Sequence, residues 1–186
     1  MRRKPLLLFF LLLGSTAFVP AQTTPAKTPG AAIASSLKIV EHDFVPAAEA
    51  MPADKYDFAP TGGEFKGVRT FAQQVKHVAS ANYMFGSVLL GEKPPVEGGG
   101  ENGPATLKTK AEIMKYLEDS FAYLDKAMAS VTDKNALEPI NSPEGKSSRL
   151  SLASFAVAHP FDHYGQMVVY LRMNGIIPPS SRPESK

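Results

Sequence analysis

The sequence contains no cysteine and no tryptophan, and its formal net charge at pH 7 is only +2. Without cysteine there is no disulfide, no lipid anchor on a thiol and no cysteine nucleophile, so a hydrophobic core, helped by any bound metal, must hold the mature fold. The small net charge, with no basic cluster beyond residues 2–4, argues against nucleic acid as a partner. The 186 residues, 44% hydrophobic and 20% charged, have the composition of one globular domain.

The chain also lacks an apolar run long enough to span a membrane. Its longest such run, residues 6–13, is well short of the ~20 residues that a spanning helix needs. Basic residues precede this run, and the small or compact residues 19–21 follow it, which is the pattern of a cleavable signal peptide. We therefore expect residues 1–21 to be a signal peptide cleaved after Ala21. The mature protein is then exported, to the periplasm or outside the cell, without stable membrane insertion.

Beyond the signal peptide, the chain divides into an irregular segment and two helical segments. Residues 22–35 are rich in Thr, Pro, Ala, Lys and Gly without periodicity, which favours a flexible linker. Apolar residues then recur at steps of three and four from Leu37 to Met51, which predicts a first helix bent at Pro46. A second helix is predicted over about 65–90, with this apolar stripe: Val68, Phe71, Val75, Val78, Phe85 and Leu89.

Two further helices complete the predicted architecture. Thr109 with a glutamate three residues later forms a capping box, and the apolar stripe after it predicts a helix that ends near Val131. A polar loop leads to Ser147 or Ser148 as the N-cap of a fourth helix that runs to Asn174. No segment alternates like a strand. We therefore predict an all-α four-helix bundle over residues 36–177, followed by an extended tail over 178–186.

The candidate functional residues of the sequence are histidines. His159 and His163 are four residues apart, so on a helix both imidazoles lie on one face, close enough to bind one ion. Apolar neighbours on that face point the pair toward the core. His77 shares its face of the second helix with small residues, and a third imidazole from a facing helix completes a three-nitrogen site with an open position for water or substrate.

Two interpretations of the histidine pair remain open at this point. An i, i+4 pair alone fits a structural use as well as a metal site, and Pro160 between the two residues removes a helix hydrogen bond and should kink the chain. If the pair binds metal, zinc is the default ion, with nickel, iron or manganese as alternatives, because imidazole suits several first-row ions.

The segments around these histidines resemble the DinB-like (DinB/YfiT) superfamily of metalloenzymes. The resemblance covers about 36–180 and is carried by RTFAQQVKHVASANYMF and HPFDHYGQMVVYLRMNGIIPPS, that is, one histidine in the second helix and a His-x-x-x-His pair followed by Gly-Gln in the fourth. It implies an up-up-down-down four-helix bundle that binds one divalent ion, zinc or nickel, through His77, His159 and His163.

The resemblance implies less about the reaction. Characterised members include transferases and isomerases that use low-molecular-weight thiols, whose thiolate form a metal would favour. Water at the same open position would instead give a hydroxide for hydrolysis. The export signal departs from the cytosolic enzymes, because such thiols are mainly intracellular. The reaction is therefore predicted as hydrolysis or group transfer on a small molecule, with the substrate unassigned.

Four further residues are candidates for supporting the site. Gln166 and Tyr170 lie on or near the inner face of the fourth helix, where each could hydrogen-bond a bound water or substrate, although core packing is the simpler role for Tyr170. Asp162 lies about 100° from His163 on an ideal helix, which favours solvent or an outer contact over ligation. Asn82 falls on the apolar stripe of the second helix and could orient a ligand.

Two functional hypotheses follow from the sequence. The first is an exported metal-dependent hydrolase or transferase that acts on a small molecule. The second is a non-catalytic metal-binding or stress-related bundle, which the absence of an evident carboxylate base beside the histidines favours. A homodimer is plausible for a bundle of this size, but no feature of the sequence demands one.

Overall fold

The computed structural model describes residues 26–143 and 145–183, so the predicted signal peptide lies outside the described residues. Four helices make up most of the described chain: α1 (Pro29–Ala50), α2 (Phe71–Leu90), α3 (Lys110–Met128) and α4 (Arg149–Met173). Three short 3-10 turns lie at Ala53–Lys55, Gly100–Asn102 and Pro179–Ser181, and a small hairpin pairs β1 (Pro139–Ser142) with β2 (Gly145–Ser148). The prediction of a four-helix bundle is confirmed.

The first helix begins earlier than predicted. The Thr28 side chain accepts a hydrogen bond from the Ala31 amide, and Pro29 occupies the first turn, where a missing N–H costs nothing. Gly30 packs so closely on the end of α3 that a Cβ there would lie 2.1 Å from the Met128 carbonyl oxygen. The predicted linker over 22–35 is therefore wrong from Pro29 onward, where the chain is helical and packed.

The ends of the other helices follow their capping residues. Thr109 caps α3 through the predicted capping box. The same pattern, Thr70 with Gln73, starts α2 six residues later than predicted, because it satisfies the first amides of the helix there. Ser148 is the N-cap of α4.

The hairpin was not predicted. Its strands are four residues long and polar, and Pro139 pairs with Ser148 at the open end. Because these short strands bury no alternating apolar face, their sequence carries no strand periodicity. The 3-10 turn at Pro179–Ser181 likewise replaces part of the predicted extended tail over 178–186.

The directions of the four helices differ from the predicted up-up-down-down arrangement. The α1 and α4 helices run one way and α2 and α3 the other, so the order is up, down, down, up. A long crossover, residues 91–109, therefore returns from the end of α2 to the start of α3. The contacts that establish these directions are Lys110 with Glu49, Asn82 with Ser120, Ser130 with Leu89, Gln74 with Gln166 and Phe85 with Phe155.

The core lies between the four helices and is built from aromatic and branched aliphatic side chains. Its largest fully buried rings are Phe44, Phe71, Phe85 and Phe121. Of the helices described, none is both long enough and apolar enough for a membrane span. The antiparallel packing of α2 on α4 brings polar side chains of both helices together in this otherwise apolar interior.

Candidate metal centre

The structure brings together the three histidines that the sequence singles out. His77 lies on α2, and His159 and His163 lie one turn apart on α4. One ligand nitrogen from each residue lies within 4.8 Å of the other two. Pro160 lies inside α4 between the two histidines of the pair, and α4 continues through it. Three imidazoles from two helices therefore converge on one point.

The hydrogen bond of His77 determines which of its nitrogens can bind an ion. Its Nδ1 lies 2.7 Å from the backbone carbonyl oxygen of Glu101, in the crossover. A carbonyl oxygen only accepts, so Nδ1 carries the proton and donates it. In the neutral ring, Nε2 then has a free lone pair, and this atom faces His159.

His163 is held in the same tautomer by a chain of side chains. The carboxylate of Asp162 accepts from Gln166 Nε2 at 3.1 Å, and Gln166 Oε1 accepts from Gln74 Nε2 at 2.8 Å. Gln74 Oε1 lies 2.6 Å from His163 Nδ1 and accepts its proton. The carboxylate can only accept a hydrogen bond, so it fixes the orientation of the Gln166 amide, which in turn fixes that of the Gln74 amide. Gln74 then presents its oxygen to His163, so the proton of that ring lies on Nδ1 and Nε2 is unprotonated.

His159 completes the cluster in a more apolar setting. Its ring packs edge-on against Phe85 and also contacts Phe155. Its Nε2 lies 3.1 Å from Nε2 of His77, and its Nδ1 is buried without a hydrogen-bond partner among the described residues. Among the described residues, His159 therefore depends on His77, or on a shared ion, for its polar contacts.

All three imidazoles are neutral at pH 7. Burial, together with the neighbouring His77 imidazole and the Arg69 guanidinium, lowers the pKa of His159 to about 3 and that of His163 to about 4. Burial, followed by Arg69, also lowers the pKa of His77. Neutral imidazole is the form that binds a metal, so these shifts favour ligation at neutral pH.

The donor set fits a divalent first-row ion. Two nitrogens that bind the same zinc ion, each at ~2.0–2.1 Å, lie roughly 3–3.5 Å apart. The Nε2 atoms of His77 and His159 are 3.1 Å apart, which fits this spacing. Two of the three rings have their outer nitrogen anchored by a hydrogen bond, as metal-ligating histidines generally do. Three nitrogen ligands also leave at least one coordination position for another group.

A charged pair lies beside the centre. Arg69 donates from Nη2 to the Glu101 carboxylate at 2.7 Å and from Nε to the Glu101 carbonyl at 3.0 Å. That carbonyl also accepts from His77, so both side chains anchor the crossover at one residue. The Glu101 carboxylate lies 3.9 Å from His77 Nδ1. No acidic group beside the histidines is evident from the sequence, and this one comes from the crossover.

The four predicted supporting residues occupy different places. Asp162 and Gln166 connect to His163 through Gln74. Tyr170 is buried, and its hydroxyl donates to the Arg69 carbonyl. Asn82 is buried between α2 and α3, where its amide donates to Ser120. The prediction that it could orient a ligand is therefore not confirmed.

Sequence reasoning missed Gln74, Arg69 and Glu101. Gln74 lies three residues before His77 and so shares its side of the helix, a signal that was present in the sequence. Arg69 directly precedes the N-cap of α2, and its contact with Glu101 offered no such signal, because the place of Glu101 depends on the path of a crossover that has no periodic pattern.

The fold and the site together define a helical-bundle protein with a three-histidine centre between two antiparallel helices. A sequence model of the DinB superfamily matches residues 36–167, and the chain belongs to that superfamily. A solved structure of a DinB-like protein from Bacillus subtilis is similar, with a TM-score of 0.56 and 19% identity over 83% of this chain and 95% of that one. At this identity the likeness concerns the fold. No curated protein sequence matches the chain.

We predict that Gln74→Leu weakens zinc binding about 10–100-fold, because the buried amide that orients His163 is lost while side-chain volume is nearly kept. Gln74 is only 1% exposed, so solvent cannot take over the bond. The matched control is Gln166→Leu, which leaves the bond between Gln74 and His163 in place and should weaken binding less. Competition titration against a chelator measures both. Equal affinity for wild type and Gln74→Leu would contradict the prediction.

Proposed function

We propose that this protein is an exported member of the DinB superfamily that holds one divalent metal ion through His77, His159 and His163 and uses it in a hydrolase or transferase reaction on a small molecule. Zinc or nickel is the preferred ion, with iron or manganese as alternatives. The observation that carries the proposal is the convergence of three neutral imidazoles, with Nε2 of His77 and Nε2 of His163 left unprotonated by their hydrogen bonds.

The chain's own residues do two things at this centre. Gln74 and the Glu101 carbonyl orient two rings, so that little ordering is needed when an ion binds. Phe85 and Phe155 pack against His159 and give its ring apolar neighbours. A divalent ion bound there would act as a Lewis acid and would lower the pKa of a bound water or thiol.

Glu101 places a carboxylate beside His77. Glu101 is exposed, and its carboxylate reaches His77 and Arg69 from the crossover. Because it approaches Nδ1, the nitrogen that His77 turns away from the ion, it is placed to support the His77 ring rather than to accept a proton from a group on the ion. The second hypothesis, a metal-binding bundle without turnover, is favoured by the engagement of that carboxylate in an ion pair with Arg69.

The test compares metal-stripped and zinc-reloaded or nickel-reloaded protein on carboxylic and phosphate ester substrates and on transfer of a small thiol to an electrophile. The enzyme hypothesis expects turnover that appears on reloading and is absent in His159→Ala. Stoichiometric metal without turnover on any of these substrates would favour the non-catalytic bundle. N-terminal sequencing of the protein recovered outside the cytoplasm tests the export part, with Gln22 as the expected first residue.

A further inference from the structure

A cleft of about 310 Å³ opens between α2 and the crossover, and His77 is part of its wall. His77 thus belongs both to the three-histidine centre and to this cleft. The volume lies at the lower end of the ~300–1,000 Å³ range of small-molecule sites. The cleft therefore begins beside one of the three ligands, while His159 and His163 are not among the residues that line it.

The walls of the cleft are mostly apolar. Ala81 and Met84 contribute from α2, and Pro94 and Val96 contribute from the crossover. Two lining side chains of α2, Ser80 and Tyr83, carry hydroxyls. The Ser80 hydroxyl already donates to the Gly98 carbonyl at 2.6 Å. Such walls stabilise an apolar group, and they offer no unpaired charge to a charged one.

Charge at the cleft is confined to one end and is paired. Glu101 lines that end, and its carboxylate is held by Arg69 at 2.7 Å. A strongly charged body in the cleft would have to break this pair or lie unpaired on apolar walls. The site therefore favours a neutral body over an ionic one.

The cleft is preformed because the crossover is anchored to α2 at several points. Lys76 Nζ donates to the Pro104 carbonyl at 3.0 Å, and His77 and Ser80 bond the carbonyls of Glu101 and Gly98. Gly103 has φ +69°, and a Cβ there would lie 2.4 Å from Cβ of Lys76. Only glycine allows this approach, so the crossover stays close to α2.

Resting on the proposed function, we propose that this cleft binds the apolar part of the substrate. The substrate is then a small neutral molecule with an aliphatic or aromatic body and one oxygen or sulfur group that reaches the metal. The apolar walls of the cleft select the body, and the three-histidine centre holds the reactive group.

The test uses acetohydroxamate, butyrohydroxamate and hexanohydroxamate as probes, since all three carry the same metal-binding head and differ in apolar length. Binding to the zinc-loaded protein is measured by isothermal titration calorimetry. We expect the affinity to rise about threefold to fourfold for each methylene that enters the cleft. Equal affinity for the three probes would overturn the inference while leaving the metal site intact.

Matched variants locate the effect. Val96→Asp places a charge on the cleft wall at a loop residue that is 39% exposed, and Val169→Asp makes the same change on the outer face of α4, where the residue is 47% exposed. Val96→Asp should remove the dependence on chain length and keep acetohydroxamate binding, and Val169→Asp should behave as wild type. A chain-length dependence retained in Val96→Asp would overturn the inference. A protein that binds no zinc, or zinc-loaded protein that binds no hydroxamate, would instead overturn the proposed function.

Discussion

His159→Ala is expected to weaken zinc binding by about two to three orders of magnitude. A structural zinc site with four protein ligands is worth ~10–16 kcal/mol, so one ligand carries roughly 3–4 kcal/mol, which is a factor of about 100–1,000 in affinity. The cluster has no fourth ligand group among the described residues that could take the place of the lost imidazole. The alanine also leaves a gap beside Phe85 and Phe155 that admits water.

Mass spectrometry of the purified protein after dialysis gives the metal content, and a variant with alanine at all three histidines should retain none. The matched control is His42→Ala, since that side chain is 86% exposed and its one hydrogen-bond partner among the described residues is Asp43. Zinc at a hundred times its Kd should raise the free energy of unfolding of wild type by about 2.7 kcal/mol and leave the triple variant unchanged. Near-stoichiometric metal in the triple variant would rule out this centre.

Phe121→Ala is expected to lower the free energy of unfolding by about 3–5 kcal/mol, because it removes a large buried ring and leaves a cavity that the bundle can fill only in part. Phe121 is fully buried on α3, and its ring packs against Phe44 of α1 with the ring centroids 6.1 Å apart. A loss of this size is a large fraction of the ~5–15 kcal/mol that stabilises a typical domain.

Urea unfolding of the metal-free protein measures this loss, and Phe65→Ala, at a partly exposed ring in the loop before α2, should change stability by less than about 0.5 kcal/mol. Zinc affinity of folded Phe121→Ala should stay near the wild-type value, because the ligands lie on α2 and α4 while Phe121 lies on α3. A loss below about 1 kcal/mol would show that α3 is packed more loosely than the structure describes.

The sequence predicted the elements whose signals are local. Thr109 and Glu112 cap α3 as expected, and the i, i+4 spacing places His159 and His163 on one face of α4. Such patterns work because a helix repeats every 3.6 residues, so residues three or four apart interact whatever the rest of the chain does. The same local rule, applied to Thr70 and Gln73, would also have located the start of α2.

Where the sequence prediction failed, the deciding contacts were distant or the pattern was too short. The helical start of α1 depends on how Gly30 fits against the end of α3, about a hundred residues away. The hairpin at 139–148 has too few apolar residues to show a strand period. The order of helix directions depends on the crossover, whose Pro and Gly residues indicate a loop and say nothing about its path.

By itself, the sequence determined four helices and placed one histidine on α2 and two on α4. The tertiary structure decided that His77 meets His159 across 82 residues, that Gln74 and the Glu101 carbonyl orient two of the rings, and that the crossover forms a cleft beside them. The reason is physical. Helix formation is settled by neighbours within about one turn, whereas a metal centre needs atoms placed to within a few tenths of an ångström, and only the packing of whole helices sets those positions.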